Sequence, residues 1–159
     1  MNVVSSPLYT NEVSSEFLSN LDKSRLAERT PDTCNEHVLA IVKQRQEHIK
    51  AHPPIAIYRI AAQGSQTGNG GVIQHATSPM QFKLDNGQQV RAAQKGDYVV
   101  YADGTQAQIV TAAGEGNSHI ALVGSLLSNG DQIINTPQNH TLLIAREGVP
   151  MAEDFLPSV

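Results

Sequence analysis

Residues 64–73 read GSQTGNGGVI, and residues 124–133 read GSLLSNGDQI. Both fit the pattern Gly-Ser-x-x-x-Asn-Gly-x-x-Ile. The anchors are Gly64, Ser65, Asn69, Gly70 and Ile73 and, sixty positions on, Gly124, Ser125, Asn129, Gly130 and Ile133. An echo with identical internal spacing marks a repeated supersecondary unit. Each copy reads as a tight turn feeding a strand. Asn-Gly supplies the positive φ angles of a hairpin turn, and the Ile opens an extended run.

Working outward, Ile55 begins a region of short β-rich runs: 55–60, 71–74, 81–84, 88–93, 98–102, 106–112, 119–124, 132–135 and 140–145. Turn chemistry separates them, including Asp85-Asn86-Gly87, Lys95-Gly96-Asp97, Asp103-Gly104 and Gly114-Glu115-Gly116-Asn117. Many short strands at this pitch predict a mainly β domain over 55–145. Of the 159 residues 40% are hydrophobic but only 4% aromatic, with no Trp. The core must therefore be built from Val, Ile, Leu and Ala, which suits narrow, repetitive β-structure.

Upstream, residues 1–54 predict a helical extension, after a loose arm over 1–9. The first helix, about 11–28, carries Val13, Phe17, Leu18, Leu21 and Leu26 on one face, with Thr10 as N-cap. The second, about 34–51, begins with Thr33 and Glu36 at capping-box spacing. Cys34, Val38, Ile41, Val42 and Ile49 form its apolar stripe, which Arg45 interrupts. Lys43, Gln44, Glu47 and Lys50 lie on the solvated side, and His52-Pro53-Pro54 ends the helix. Residues 146–159 read as a partly extended tail.

The net charge of -4 and the lack of a basic stripe argue against nucleic-acid binding. No apolar run has the length of a membrane span, and the first residues lack the order of a signal peptide. Export, if it occurs, is expected without a cleaved signal. The single Cys34 excludes an intramolecular disulfide and a Cys-rich zinc site, and reads as a small core hydrophobe. Cys34 and His37 are three apart on a helix, but neither an orienting partner nor an oxyanion hole accompanies them. His48 and His52 have the i, i+4 spacing that chelates a metal, without the Glu of a His-Glu-x-x-His motif; a solvated helix face accounts for them. His75, His119 and His140 are scattered over the β region. The expectation is a protein that is not an enzyme.

The β region over 57–137 resembles the PAAR-repeat proteins, the pointed caps of contractile injection machines such as the type VI secretion spike. That family runs Gly-Asp-x-x-Ser-His-Gly-Gly-x-Ile early, Asn-Gly through Gly-Asp in the middle, and Gly-Asp-x-x-Ser-Cys-Gly-x-x-Ile late. Gly64–Ile73 lies on the first without gaps. Asn86-Gly87 through Gly96-Asp97 lies on the second, with Val90-Arg91-Ala92-Ala93 at the name-giving segment. Gly124–Ile133 lies on the third, and Ser128 keeps the family's Ser. The motif positions are thus Gly64, Asn69, Gly70, Gly96, Asp97, Gly124, Asn129 and Gly130.

What the resemblance implies is a small conical or prism-like β domain with three-fold pseudo-repetition, preceded by two helices. It would cap and sharpen a trimeric VgrG-like spike and be delivered outside the cell on the spike tip. The apolar pairs Val72-Ile73, Ile109-Val110 and Ile133-Ile134 are available as the three faces of a prism. The helices would carry an effector or adaptor, or pack as a collar; the chain alone would be a monomer. The family's tip zinc is held by three His and one Cys, whereas Asn69 and Asn129 stand at the early His and late Cys positions. The Tyr101 and Asp103 neighbourhood replaces the middle ligand segment. Ser65 and Ser125 replace the usual Asp. Asn is a poor zinc ligand, so no metal and no other cofactor is expected; the two Asn residues read as turn residues that could also cross-link the tip by hydrogen bonds. The alternative from the strands and turns alone is a free-standing all-β binding or adaptor module, phage-tail or lectin-like.

Overall fold

The structure is a computed structural model that describes residues 7–23 and 36–157. It is a mixed, strand-rich fold of short antiparallel strand pairs with two N-terminal helices. The helices are α1 (Ser15–Asn20) and α2 (Glu36–Ala51). The strands are β1 (Pro54–Arg59), β2 (Gln81–Lys83), β3 (Gln89–Arg91), β4 (Tyr98–Val100), β5 (Gln106–Gln108) and β6 (Leu142–Arg146). They pair as β1–β6, β2–β3 and β4–β5. The chain divides into two units. One gathers Tyr58–Leu143 with the described parts of 1–11 and 151–159; the other holds the described parts of Glu12–Ile57 and Ile144–Pro150.

In the β unit, period-two alternation decides which side chains go inside. The central pairs Phe82 with Val90 and Val99 with Ala107 are buried, while Gln81, Lys83, Gln106 and Gln108 are exposed. The runs predicted over 71–74, 119–124 and 132–135 are not continuous strands. They pair at single residues, Val72 with Val100, Leu122 with Ile60, and Ile133 with Thr67. Each of these runs abuts or ends at a positive-φ glycine, Gly70, Gly124 or Gly130, where the chain turns and a ladder stops.

Alanines hold the centre. Ala61 N–H donates to Ala121 O, Ala121 N–H to Ala93 O, and Ala93 N–H to Ala61 O, each at 2.9 Å. These backbones close a ring, and their side chains are sealed from solvent. Only a methyl lets segments converge this closely. One core cluster joins the ring alanines to Ile73, Val99, Ile109, Leu127 and Ile133; a second gathers Ile60, Phe82, Leu84, Val90, Ile120 and Leu122.

Tyr9, in the arm read as loose, is tied down. Tyr9 pairs with Thr136 through two backbone bonds of 2.8 and 2.9 Å. The Asn11 amide works as an extra peptide group: it donates to Val123 O at 2.7 Å and accepts from Arg59 N–H at 2.8 Å. In the tail, Phe155 meets the Tyr58 ring edge-on at 4.9 Å, and Leu156 N–H donates to Ala112 O at 2.9 Å.

In the other unit, α1 is shorter than the expected 11–28. Its N-cap is Ser14, whose Oγ accepts from Phe17 N–H at 3.1 Å, rather than Thr10. Thr10 is claimed elsewhere: its carbonyl accepts from Arg59 Nε at 2.7 Å. Leu26, Thr33 and Cys34 lie outside the described residues. α2 ends before His52-Pro53-Pro54 as read, with Lys43, Gln44, Glu47 and Lys50 exposed. Its apolar stripe is not a buried one: Ile49 is buried, but Val38 and Ile41 are exposed. Arg146 and Asp22 form a two-armed ion pair at 2.7 and 2.8 Å, nearly out of solvent. The paired carboxylate raises the Arg146 pKa, against the opposing effect of burial. No helix among the described residues is long and apolar enough to cross a membrane.

Candidate functional site: the turn cluster around Asp131

Each repeated motif folds into the same hairpin. Gly64 N–H donates to Ile73 O and Ile73 N–H to Ser65 O, both at 2.9 Å; Gly124 and Ile133 repeat this at 2.8 and 3.0 Å. The same two bonds close residues 96–109, from Gly96 N–H to Ile109 O at 2.9 Å and from Ile109 N–H to Asp97 O at 2.8 Å. Ser65 and Ser125 each accept the N–H three residues upstream at 3.0 Å, from Ala62 and Leu122. Asp97 does the same for Gln94 N–H at 3.0 Å and also binds the Thr77 hydroxyl at 2.6 Å and N–H at 3.0 Å. A carboxylate thus stands in for a hydroxyl and fastens an additional loop.

At the far end of each hairpin the chain reverses in one way. Thr67 N–H donates to Gly71 O and Gly70 N–H to Thr67 O; Tyr101, Gly104 and Thr105, and Leu127, Gly130 and Asp131, make the equivalent bonds, all between 2.9 and 3.1 Å. This is a type I turn followed by a glycine bulge. The glycine alone takes the positive φ, +90° at Gly70 and +86° at Gly130. The expectation that Asn supplies such angles is corrected: Asn69 and Asn129 are not among the positive-φ residues. Asn129 instead accepts Asp131 N–H at 3.0 Å, as Asp103 accepts Thr105 N–H at 3.0 Å. At Asn69 this role passes to Thr67, whose hydroxyl accepts Gly71 N–H at 2.9 Å.

The three turns meet on one carboxylate. Asp131, only 6% exposed, accepts the Tyr101 hydroxyl at 2.6 Å, Asn69 N–H at 3.2 Å and Gln132 N–H at 2.8 Å. Asn129 Nδ2 donates to the Tyr101 hydroxyl at 3.0 Å. Gly71 makes room for the Tyr101 ring: a Cβ there would stand 3.0 Å from Tyr101 Cε1 and 2.3 Å from Val99 Cγ1. Burial pushes the Asp131 carboxyl upward. The Thr67 and Tyr101 hydroxyls and the N–H groups of Gln132 and Asn69 outweigh it and hold the carboxyl below its ordinary value. Burial, and then donation to Asp131, push the Tyr101 phenol up. Asp103, fully exposed, is held down by the Thr105 hydroxyl and N–H. Above the clasp lies an open depression of about 430 Å³, lined by Asn69, Tyr101, Asp103, Thr105 and Asn129 among others.

The structure therefore brings together Asn69, Gly70, Asn129 and Gly130 with the Tyr101 and Asp103 neighbourhood. Gly64, Gly96, Asp97 and Gly124 lie at the opposite ends of their hairpins. Asn86-Gly87, read as the middle motif, turns the separate β2–β3 hairpin, while the middle turn of the cluster is Asp103-Gly104. Asp131 itself was missed. Its signal was the departure inside the second motif, GD where the first has GG. The donor set does not fit zinc. The Asp131 oxygens already accept N–H and O–H groups and the Asn129 amide is spent on the Tyr101 hydroxyl, whereas zinc wants thiolate, imidazole or free carboxylate at tetrahedral positions. What the cluster does chemically is fasten three turns by charge-assisted hydrogen bonds. Comparison with protein-family models, with curated proteins and with solved structures returned no match.

Proposed function

We propose that this chain is a spike-tip protein of the PAAR type, a prism-like cap with three-fold pseudo-repetition that sits on a trimeric VgrG-like spike. The observation that carries the reading is the closed alanine ring, in which residues 61, 93 and 121 exchange backbone hydrogen bonds head to tail at 2.9 Å. Its neighbours close a second cycle in the opposite sense: Gln63 N–H donates to Arg91 O, Lys95 N–H to His119 O and Val123 N–H to Arg59 O, at 2.9 to 3.0 Å. Ile73, Ile109 and Ile133 share one core cluster, as three prism faces require. One chain with three comparable edges can meet three identical partners without leaving two of them unmatched.

The role is mechanical, not catalytic. A point driven through a membrane must not splay, and the Asp131 clasp ties the three turns where the family uses zinc. The cap rides out on the spike and needs no signal peptide of its own. The helices are the place for effector or adaptor cargo. Electron microscopy of the chain mixed with the trimeric spike encoded nearest to it tests this: density for one chain at the trimer apex supports the cap, and a bare apex refutes it.

A free-standing binding module is the second reading. An open groove of about 770 Å³ favours it, lined by Gln63, Gln66, Gln74, Gln88 and Gln89 beside Leu84. It predicts a folded monomer that ignores the spike.

A further inference from the structure

We propose that His48 and His52 form a bidentate site for a borderline divalent transition metal, of the class of Cu(II), Ni(II) and Zn(II). The two residues lie one turn apart at the C-terminal end of α2, His52 just beyond its last residue, Ala51. Their ring centres are 4.6 Å apart and the planes are inclined by 53°. A metal bound at about 2.0–2.1 Å by one nitrogen of each ring sits roughly 3.2 Å from each centre. N–metal–N angles between square and tetrahedral then separate the centres by about 4.5–5.2 Å. The rings already stand at the near end of that range.

Two features fix the His52 ring. Its Nδ1 lies 2.8 Å from the Glu147 carbonyl oxygen. A carbonyl only accepts, so Nδ1 carries the hydrogen and the Nε2 lone pair is left for a metal. Gly148 lies against the same edge, where a Cβ would stand 3.2 Å from Nδ1. The helix end adds a negative partial charge that favours a cation. Among the described residues no group of three His, Cys, Asp or Glu side chains gathers, so water completes the coordination and the site is of moderate affinity. Copper binds tightest of the three.

The test is calorimetric titration of the full, tag-free chain with Cu(II) and with Zn(II), against the single variants His48→Gln, His52→Gln and His37→Gln. The expected result is one equivalent bound, affinity weakened roughly tenfold or more by either of the first two, and no change with His37→Gln. Electron paramagnetic resonance of the copper complex should report two imidazole nitrogens in wild type and one in His48→Gln. Far-UV circular dichroism checks that each variant is folded. Equal affinity in wild type and folded His48→Gln, or no binding by wild type, overturns the proposal.

Discussion

Replacing Asp131 by Asn keeps its shape and removes its charge, so it isolates what the clasp is worth. The carboxylate accepts the Tyr101 hydroxyl at 2.6 Å, Gln132 N–H at 2.8 Å and Asn69 N–H at 3.2 Å, at 6% exposure. A hydrogen bond to a charged group contributes about 1.5–3 kcal/mol. Asn keeps one acceptor oxygen but turns an amide donor toward groups that donate. The Tyr101 hydroxyl can rotate and recover part of the loss. The expected destabilisation is about 3 kcal/mol. Tyr101→Phe removes one of these bonds and leaves the Asn129 amide without its acceptor, costing about 2 kcal/mol. If both act through one contact, the double variant loses about 1–2 kcal/mol less than the sum. Urea unfolding followed by far-UV circular dichroism measures all three. Additivity within a few tenths of a kcal/mol would refute a shared clasp.

Acid supplies a second route to the same group: the Asp131 carboxyl is held below its ordinary value, so its contribution is complete above about pH 4 and lost as pH falls through the depressed folded value. Wild type should lose stability over that window more steeply than Asp131→Asn; parallel profiles would remove the carboxylate from the account. Gly71→Ala forces a methyl to 2.3 Å from Val99 Cγ1 and should cost about 1–3 kcal/mol, whereas Gly116→Ala, whose Cβ meets nothing within 4 Å, should cost much less on the same urea assay. Asp22→Ala strands Arg146 without its carboxylate and should cost about 3 kcal/mol; thermal unfolding indistinguishable from wild type would show that pair to be ornamental. Asn86 and Asn129 have side chains engaged within their turns and Asn69 has none of those bonds. Attack of the next N–H on the side-chain amide, releasing ammonia, should therefore convert Asn69 first on prolonged mild alkaline incubation; peptide mapping that finds Asn86 or Asn129 first would contradict the turn assignments.

The hairpins were legible because their determinants are local. Gly-Ser at one end and Asn-Gly at the other fix both turns, and Ile73 and Ile133 mark the inward face. The closure of those hairpins on one another was not legible. It depends on Ala61, Ala93 and Ala121, and an alanine in a β-rich run carries no signal that three backbones will meet around it. The clasp was half legible. Asn69, Asn129 and Tyr101 stand out against a family pattern, but nothing local shows that the Asp131 carboxylate receives the Tyr101 hydroxyl from another turn. The tie at Asn11 was not legible for a related reason: a side-chain amide acting as a strand leaves no periodicity. The α2 stripe misled because period alone says that a face is apolar, not that something covers it.

The proposed cap sets three comparable edges of one chain on a trimer. Native mass spectrometry of the full chain mixed with the trimeric spike protein encoded nearest to it reads this as a stoichiometry. A cap of this kind gives one chain per trimer, unchanged when the chain is in excess. Three chains per trimer, or no complex from a folded chain, would contradict it.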